Sequence, residues 1–279
     1  MNKMSIREIL NKIEHEEIFH AVADDYSFSI KIDDYVPYAC AAIHDGHHFD
    51  KRLWDNCLHT EYERWYEEDP ATGTMISLLP ITLIAHDSRF EYDLNRNPKD
   101  AIYDTAWGKK LWKKPLTEDE KERALVKHDN FYKVVLQLIV KLEELFGTAV
   151  FYDLHSYNRK RWDREVPVFN LGTSNVDQST FKLAINQWQE ILSNVTLPID
   201  QKITCEINDV FQGNGFFLKY VTSNSLNSLV LATEVSKIYC DEETGVIYPE
   251  VVHTLRDKLK YYIQSHAHRF YDRHHAFES

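Results

Sequence analysis

Two short motifs put histidines where an apolar run stops. In IHDGHHF, His44, His47 and His48 follow a run that reads as a β-strand, and Gly46 lets the backbone turn sharply. Ligands bind at strand ends in open α/β sheets. His44 and His47 are three residues apart, a spacing that can bring two neutral imidazoles to one metal ion. In FYDLHSY a second apolar run ends at His155, and Asp153, two residues earlier, points to the same face. A carboxylate there can orient a ligand ring and raise its basicity. Either motif alone also reads as solvated loop or plain core histidines. Together they are more pointed, because strand-terminal histidines on parallel neighbours, His44 and His155, can converge on one point.

Three further motifs bear on such a site. SRFEYDLNR sets Arg89 and Arg96 beside Asp93 and Asn95, and an arginine fork suits a substrate carboxylate; a surface ion-pair network is the alternative. LVLATEVSKIY is an apolar strand interrupted by Glu234. An ionised carboxylate inside a sheet is costly unless it is paired or used, so Glu234 should lie at a strand end or against a metal, where it could act as a general base. In EINDVFQGNGFF, Asn208, Gly213 and Gly215 suggest a turn lining a pocket or an ordinary hairpin loop. The acidic run Glu67, Glu68 and Asp69 reads as a charged helix end, although Asp69 could supply an oxygen ligand. The histidines of the tail, His266, His268, His274 and His275, read as a solvated helix end.

The elements that must carry these residues follow from periodicity. An amphipathic helix is expected over Ile6 to Val22, with strands over Tyr26 to Ile32, Val36 to Ile43 and Ile81 to Ala85. A polar helical stretch to Glu67 is broken by Pro70 and Gly73. Asn97 to Leu116 holds prolines near both ends and three aromatics without periodicity, which predicts a long loop over a site. Thr117 and Glu120 form a capping-box pattern ahead of a long helix that stops at Gly147. Strands over Thr148 to Leu154, Val168 to Leu171, Ile203 to Ile207 and Leu229 to Val235 then alternate with helices over Phe181 to Leu192 and Val251 to Ile263. The expected architecture is α/β: three layers, α/β/α, around a mixed, largely parallel sheet, in one domain over residues 1–279 with about 1–33 as an extension.

Composition narrows the function class. The 279 residues are 43% hydrophobic and 13% aromatic, enough for a sizeable core without disulfides. A formal net charge of −12 argues against tracking a phosphate backbone, so no nucleic-acid partner is expected. Eight glycines, none in a phosphate-cradling turn, give no support for a nucleotide site. The cysteines Cys40, Cys57, Cys205 and Cys240 have no close pairing and fit a reducing compartment. The N-terminus lacks the apolar centre of a signal peptide, and no stretch approaches a membrane span; a cytoplasmic protein with no membrane partner is expected.

Taken in order, IHDGHH, EEDPATG, SRFEYDLNR, DLHS, NDVFQGNG and ATEVSKIY resemble the N-formylglutamate amidohydrolase family from about residue 36 to residue 260. The resemblance implies a phosphorylase/hydrolase-like, zinc-carboxypeptidase-like fold with one catalytic Zn2+. It implies His44 and His155 as ligands and Glu234 as general base. For the third ligand it favours Asp69 over His47 or Glu68. It also implies catalytic Arg96, with Arg89, Asn95 and Asn208 around the substrate, a small N-acyl amino acid. Two positions depart from the family pattern: His44-Asp45-Gly46 stands for His-Ser-Gly, and Asn208-Asp209-Val210-Phe211 for Asn-Asp-Pro-Tyr. The same residues would serve a carboxypeptidase-like enzyme acting on a small peptide or cell-wall fragment. A metal-binding regulatory protein without turnover is the remaining class, and the intact Glu234 speaks against it.

Overall fold

A computed structural model describes residues 1 to 276. Its strands are β1 (Asn2–Met4), β2 (Phe19–Ala23), β3 (Phe28–Ile32), β4 (Tyr38–Ala42), β5 (Ile81–Ala85), β6 (Thr105–Ala106), β7 (Lys109–Lys110), β8 (Val150–Tyr157), β9 (Phe169–Gly172), β10 (Cys205–Ile207) and β11 (Leu229–Ser236). All but β6 and β7 join one sheet in the order β1-β2-β3-β5-β4-β8-β11-β9-β10. The central strands β5, β4, β8 and β11 are parallel. Antiparallel pairings flank them, β3 against β5 and β9 against β11. Every residue of β4 and β8 is buried, as expected for parallel strands covered on both faces.

The helices are α1 (Ile6–Glu14), α2 (Lys51–Trp54), α3 (Glu61–Glu67), α4 (Thr72–Ile76), α5 (Glu118–Phe146), α6 (Gln178–Ser193), α7 (Phe216–Asn224) and α8 (Pro249–Ala276). α5 packs with α1 and α7, and α8 with α4 and α6, one group on each side of the sheet. The α5 boundaries follow the expected chemistry. The Thr117 hydroxyl accepts from the Glu120 amide at 3.3 Å, the Glu120 carboxylate accepts from the Thr117 amide at 2.7 Å, and Gly147 closes the helix at φ 70°.

Several expectations give way to tertiary context. The helix expected to Val22 ends at Glu14, because Phe19, Ala21 and Ala23 alternate inward and Phe19 to Val22 pair with β3 as a strand. The β1 to β3 segment is hydrogen-bonded into the main sheet. The stretch before Glu67 splits into α2 and α3, and α4, α7 and β1 had no sequence signal long enough to read. α8 continues past Ile263 through the histidine-rich tail. His266, expected in solvent, is buried there, held between the Tyr152 hydroxyl at 2.5 Å and the Ala184 carbonyl at 2.9 Å. No helix among the described residues is long and apolar enough to cross a membrane.

Candidate metal centre

β4 and β8 are adjacent parallel strands, and their C-terminal ends bring His44 and His155 together with ring centroids 4.9 Å apart. The carboxylate between them belongs to Asp69, delivered by the turn that joins α3 to α4. The Asp69 amide donates to the His44 carbonyl at 2.9 Å, which ties that turn to the end of β4. One ligand atom from each of His44, Asp69 and His155 lies within 4.8 Å of the others, and all three residues are buried.

The ring orientations fit a cation. Both histidines turn Nδ1 toward the same oxygen, Asp69 Oδ2, at 3.4 Å from His44 and 3.1 Å from His155. Both turn Nε2 toward another carboxylate, His44 to Asp93 at 2.7 Å and His155 to Asp153 at 2.8 Å. An Nε2–H donated to a carboxylate frees the Nδ1 lone pair to face Asp69, an arrangement that a cation held between the two rings and the carboxylate would satisfy. This donor set, two imidazoles and a carboxylate each backed by a second group, suits Zn2+ or a similar ion.

The charges of the unit are strongly coupled. Burial alone would raise Asp69, but hydrogen bonds and charge from His155 and His44 hold it well below the usual carboxylate range. Burial would lower His155, but Asp153 and Asp69 hold it well above its ordinary value. Asp93, fully buried, is held low against its own burial by Arg89 and His44. One oxygen of Asp153 is buried without a hydrogen-bond partner.

The centre lies in the wall of a cavity of about 620 Å³ that also touches Glu234, Arg89, Arg96 and Asn95. Glu234 is the register partner of His155 across β11 and β8, and burial pushes its carboxyl up to about 8, against the pull of His155. Arg96 is exposed to this space, with Nη1 on the Asn95 carbonyl at 3.0 Å and no ion pair among the described residues. Asn95 stands where α7 begins, its amide oxygen accepting from the Phe217 amide at 3.3 Å.

Other expected site residues are engaged by groups of the protein itself. Arg89 reaches the cavity wall, but its guanidinium forks onto Asp93 at 2.7 and 3.2 Å and donates to the Glu67 carbonyl. Asn208 stays off the cavity wall. Its amide bonds the Thr173 amide at 2.8 Å and the Thr173 hydroxyl at 2.9 Å, holding a turn in which Asn208 itself takes φ 57°. His47 and Glu68 pair with each other, away from the cluster. Sequence reasoning passed over Asp93 as a partner of His44; the two are 49 positions apart and no spacing rule connects them. The expected loop from Asn97 to Leu116 touches the cavity through Asn97 and Asp100. Its remainder, with β6 and β7, packs into a small separate core around Phe90, Leu111 and Trp112.

Comparison with known proteins meets this geometry. The crystal structure of N-formylglutamate amidohydrolase from Ralstonia eutropha JMP134 superposes with a TM-score of 0.71 at 17% identity, covering 87% of this chain and 98% of that one. A gene product of Agrobacterium tumefaciens superposes at 0.64 with 14% identity, covering 86% and 95%. A metallo-carboxypeptidase from Burkholderia cenocepacia gives 0.40 at 12% identity, covering 87% and 61%. No curated protein matches the chain in sequence. The N-formylglutamate amidohydrolase profile matches residues 36–234, a span that contains His44, Asp69, His155 and Glu234. The chain is an amidohydrolase and belongs to the N-formylglutamate amidohydrolase family.

Proposed function

We propose that the chain hydrolyses the linear amide bond of a small N-acyl amino acid, N-formyl-L-glutamate-like, with one zinc ion held by His44, Asp69 and His155. The observation that carries this reading is the meeting of the three ligands with Glu234 and an unpaired Arg96 around one cavity. A bound divalent cation supplies Lewis acidity and makes a coordinated water acidic near neutral pH. The protein's own groups do the rest. Arg96 holds the substrate carboxylate and, with Asn95, orients the amide. Glu234 takes a proton from the attacking water and passes it to the leaving nitrogen, a task that its place beside His155 on the cavity wall allows. The water oxygen bonds to the acyl carbon, the C–N bond breaks, and formate or another carboxylate leaves with the free amino acid. Asp93 and Asp153 keep the ligand rings turned toward Asp69.

A second reading, carboxypeptidase-like cleavage of a small peptide or cell-wall fragment, is favoured by the room available. Only Asn97 and Asp100 of the expected covering loop reach the cavity, and about 620 Å³ exceeds what a formyl amino acid fills. The four cysteines are free and buried, which supports a reducing, cytoplasmic setting. Metal analysis of untagged protein, joined to a panel of formyl amino acids, longer acyl amino acids and dipeptides, tests both readings. Formate release from N-formylglutamate supports the first and peptide turnover the second. Zinc without turnover of any member would leave only metal binding.

A further inference from the structure

We infer that Tyr103, backed by Trp107, is a positioning residue for the metal centre, acting on His44 through Asp93; this rests on the metal reading above. Asp93 is the hub. Its Oδ1 accepts from His44 Nε2 at 2.7 Å and from the Asn95 amide at 2.7 Å. Its Oδ2 accepts from Arg89 at 2.7 and 3.2 Å and from the Tyr103 hydroxyl. With no exposed surface, Asp93 has only these donors among the described residues to set its plane, and its plane sets the His44 ring.

Tyr103 comes from the loop that packs into the separate small core. The Trp112 indole donates to its carbonyl at 2.7 Å and fastens it there. Beyond it the β6–β7 hairpin turns through Trp107 at φ 49° and Gly108 at φ 77°. A two-residue turn with both residues left-handed ordinarily takes Asn, Asp or Gly at its first position, and a bulky side chain there is strained. Such strain persists where the surroundings over-determine it. Here the Trp107 ring lies 5.0 Å from the Arg89 guanidinium and 5.4 Å from Phe90, and meets Tyr103 edge to face at 5.9 Å. The strained residue thus covers the two side chains that grip Asp93 Oδ2. The hairpin braces a metal ligand without touching the metal.

The test is Tyr103→Phe, which keeps the ring contacts and removes only the hydroxyl. Zinc affinity, measured by competition with a chromogenic chelator, is expected to fall about tenfold, alongside a drop of a few degrees in the melting temperature of the metal-free protein from the hydrogen bond lost to a buried carboxylate. At saturating cobalt, used as a spectroscopic probe, the visible bands are expected to shift because His44 turns. An unchanged zinc Kd with an unchanged cobalt spectrum overturns the inference. So does a lower melting temperature of the metal-free protein with the parent's zinc Kd, since the hydroxyl would then be structural only. A parent that binds no divalent ion overturns the metal reading and this inference with it.

Discussion

Glu234 and His155 are register partners on the parallel strands β11 and β8, so one hydrogen-bonded strand pair carries both the proposed base and a proposed metal ligand into the cavity. Replacing the carboxyl by an amide leaves that pairing intact. Glu234→Gln is therefore expected to keep its zinc, read by metal analysis, while kcat falls by about 10²- to 10⁴-fold, the usual worth of a positioned general base. Parental turnover in this variant would remove Glu234 from the mechanism.

The third ligand can be decided by metal content. Asp69→Asn loses the charge toward which both rings turn, and it is expected to purify with little zinc and to bind added zinc at least about 10-fold more weakly. His47→Ala is expected to keep the metal, since His47 is engaged with Glu68 and with Glu61. Equal zinc retention by the two variants would mean that the ligand set is misread.

The two arginines are expected to fail differently. Arg96→Met should raise KM for an acyl amino acid by about 10- to 100-fold with a smaller change in kcat, the mark of lost uniform binding. Arg89→Met leaves the fully buried Asp93 without its cation, and its main effect should be a loss of about 3 kcal/mol of stability in urea unfolding. A pure KM effect from Arg89→Met would place the substrate carboxylate there instead.

A pH effect on stability is expected far from the cavity. Burial pushes His266 down from 6.5 to about 4, and both of its nitrogens are matched to the neutral ring: Nε2–H donates to the Ala184 carbonyl and Nδ1 accepts from Tyr152. Between these values the unfolded chain binds a proton that the folded chain refuses, so stability falls as pH drops from 6.5 toward 4, by up to about 3 kcal/mol. Above 6.5 this contribution is fully present. Urea unfolding at stepped pH should show the slope in the parent and a shallower one in His266→Phe.

What could be read in the sequence was local. β5 and the caps of α5 follow from residues that specify their own neighbourhoods: an apolar run for the strand, and Thr117, Glu120 and Gly147 for the helix. His44 and His155 were legible because each closes an apolar run. Asp93, the partner of His44, was visible only as a charge beside Arg89, since its role depends on a pairing made by the folded sheet. For the same reason Arg89 looked free and Asn208 looked available, because the groups that engage them, Asp93 and Thr173, had no spacing rule to announce them. The Ile18 to Ala23 stretch fits helix and strand periodicity alike, and the alternation won where β3 offered an edge.

The small core around Trp112 stands apart from the main one, yet through Tyr103 it touches a carboxylate that steadies His44. The cavity edge formed by Asn97 and Asp100 and the support of the proposed metal ligand are thus tied to one stretch of chain. A lineage, or a laboratory selection, that reshapes this loop to accept bulkier molecules is expected to weaken the proposed metal site unless the phenol keeps its place.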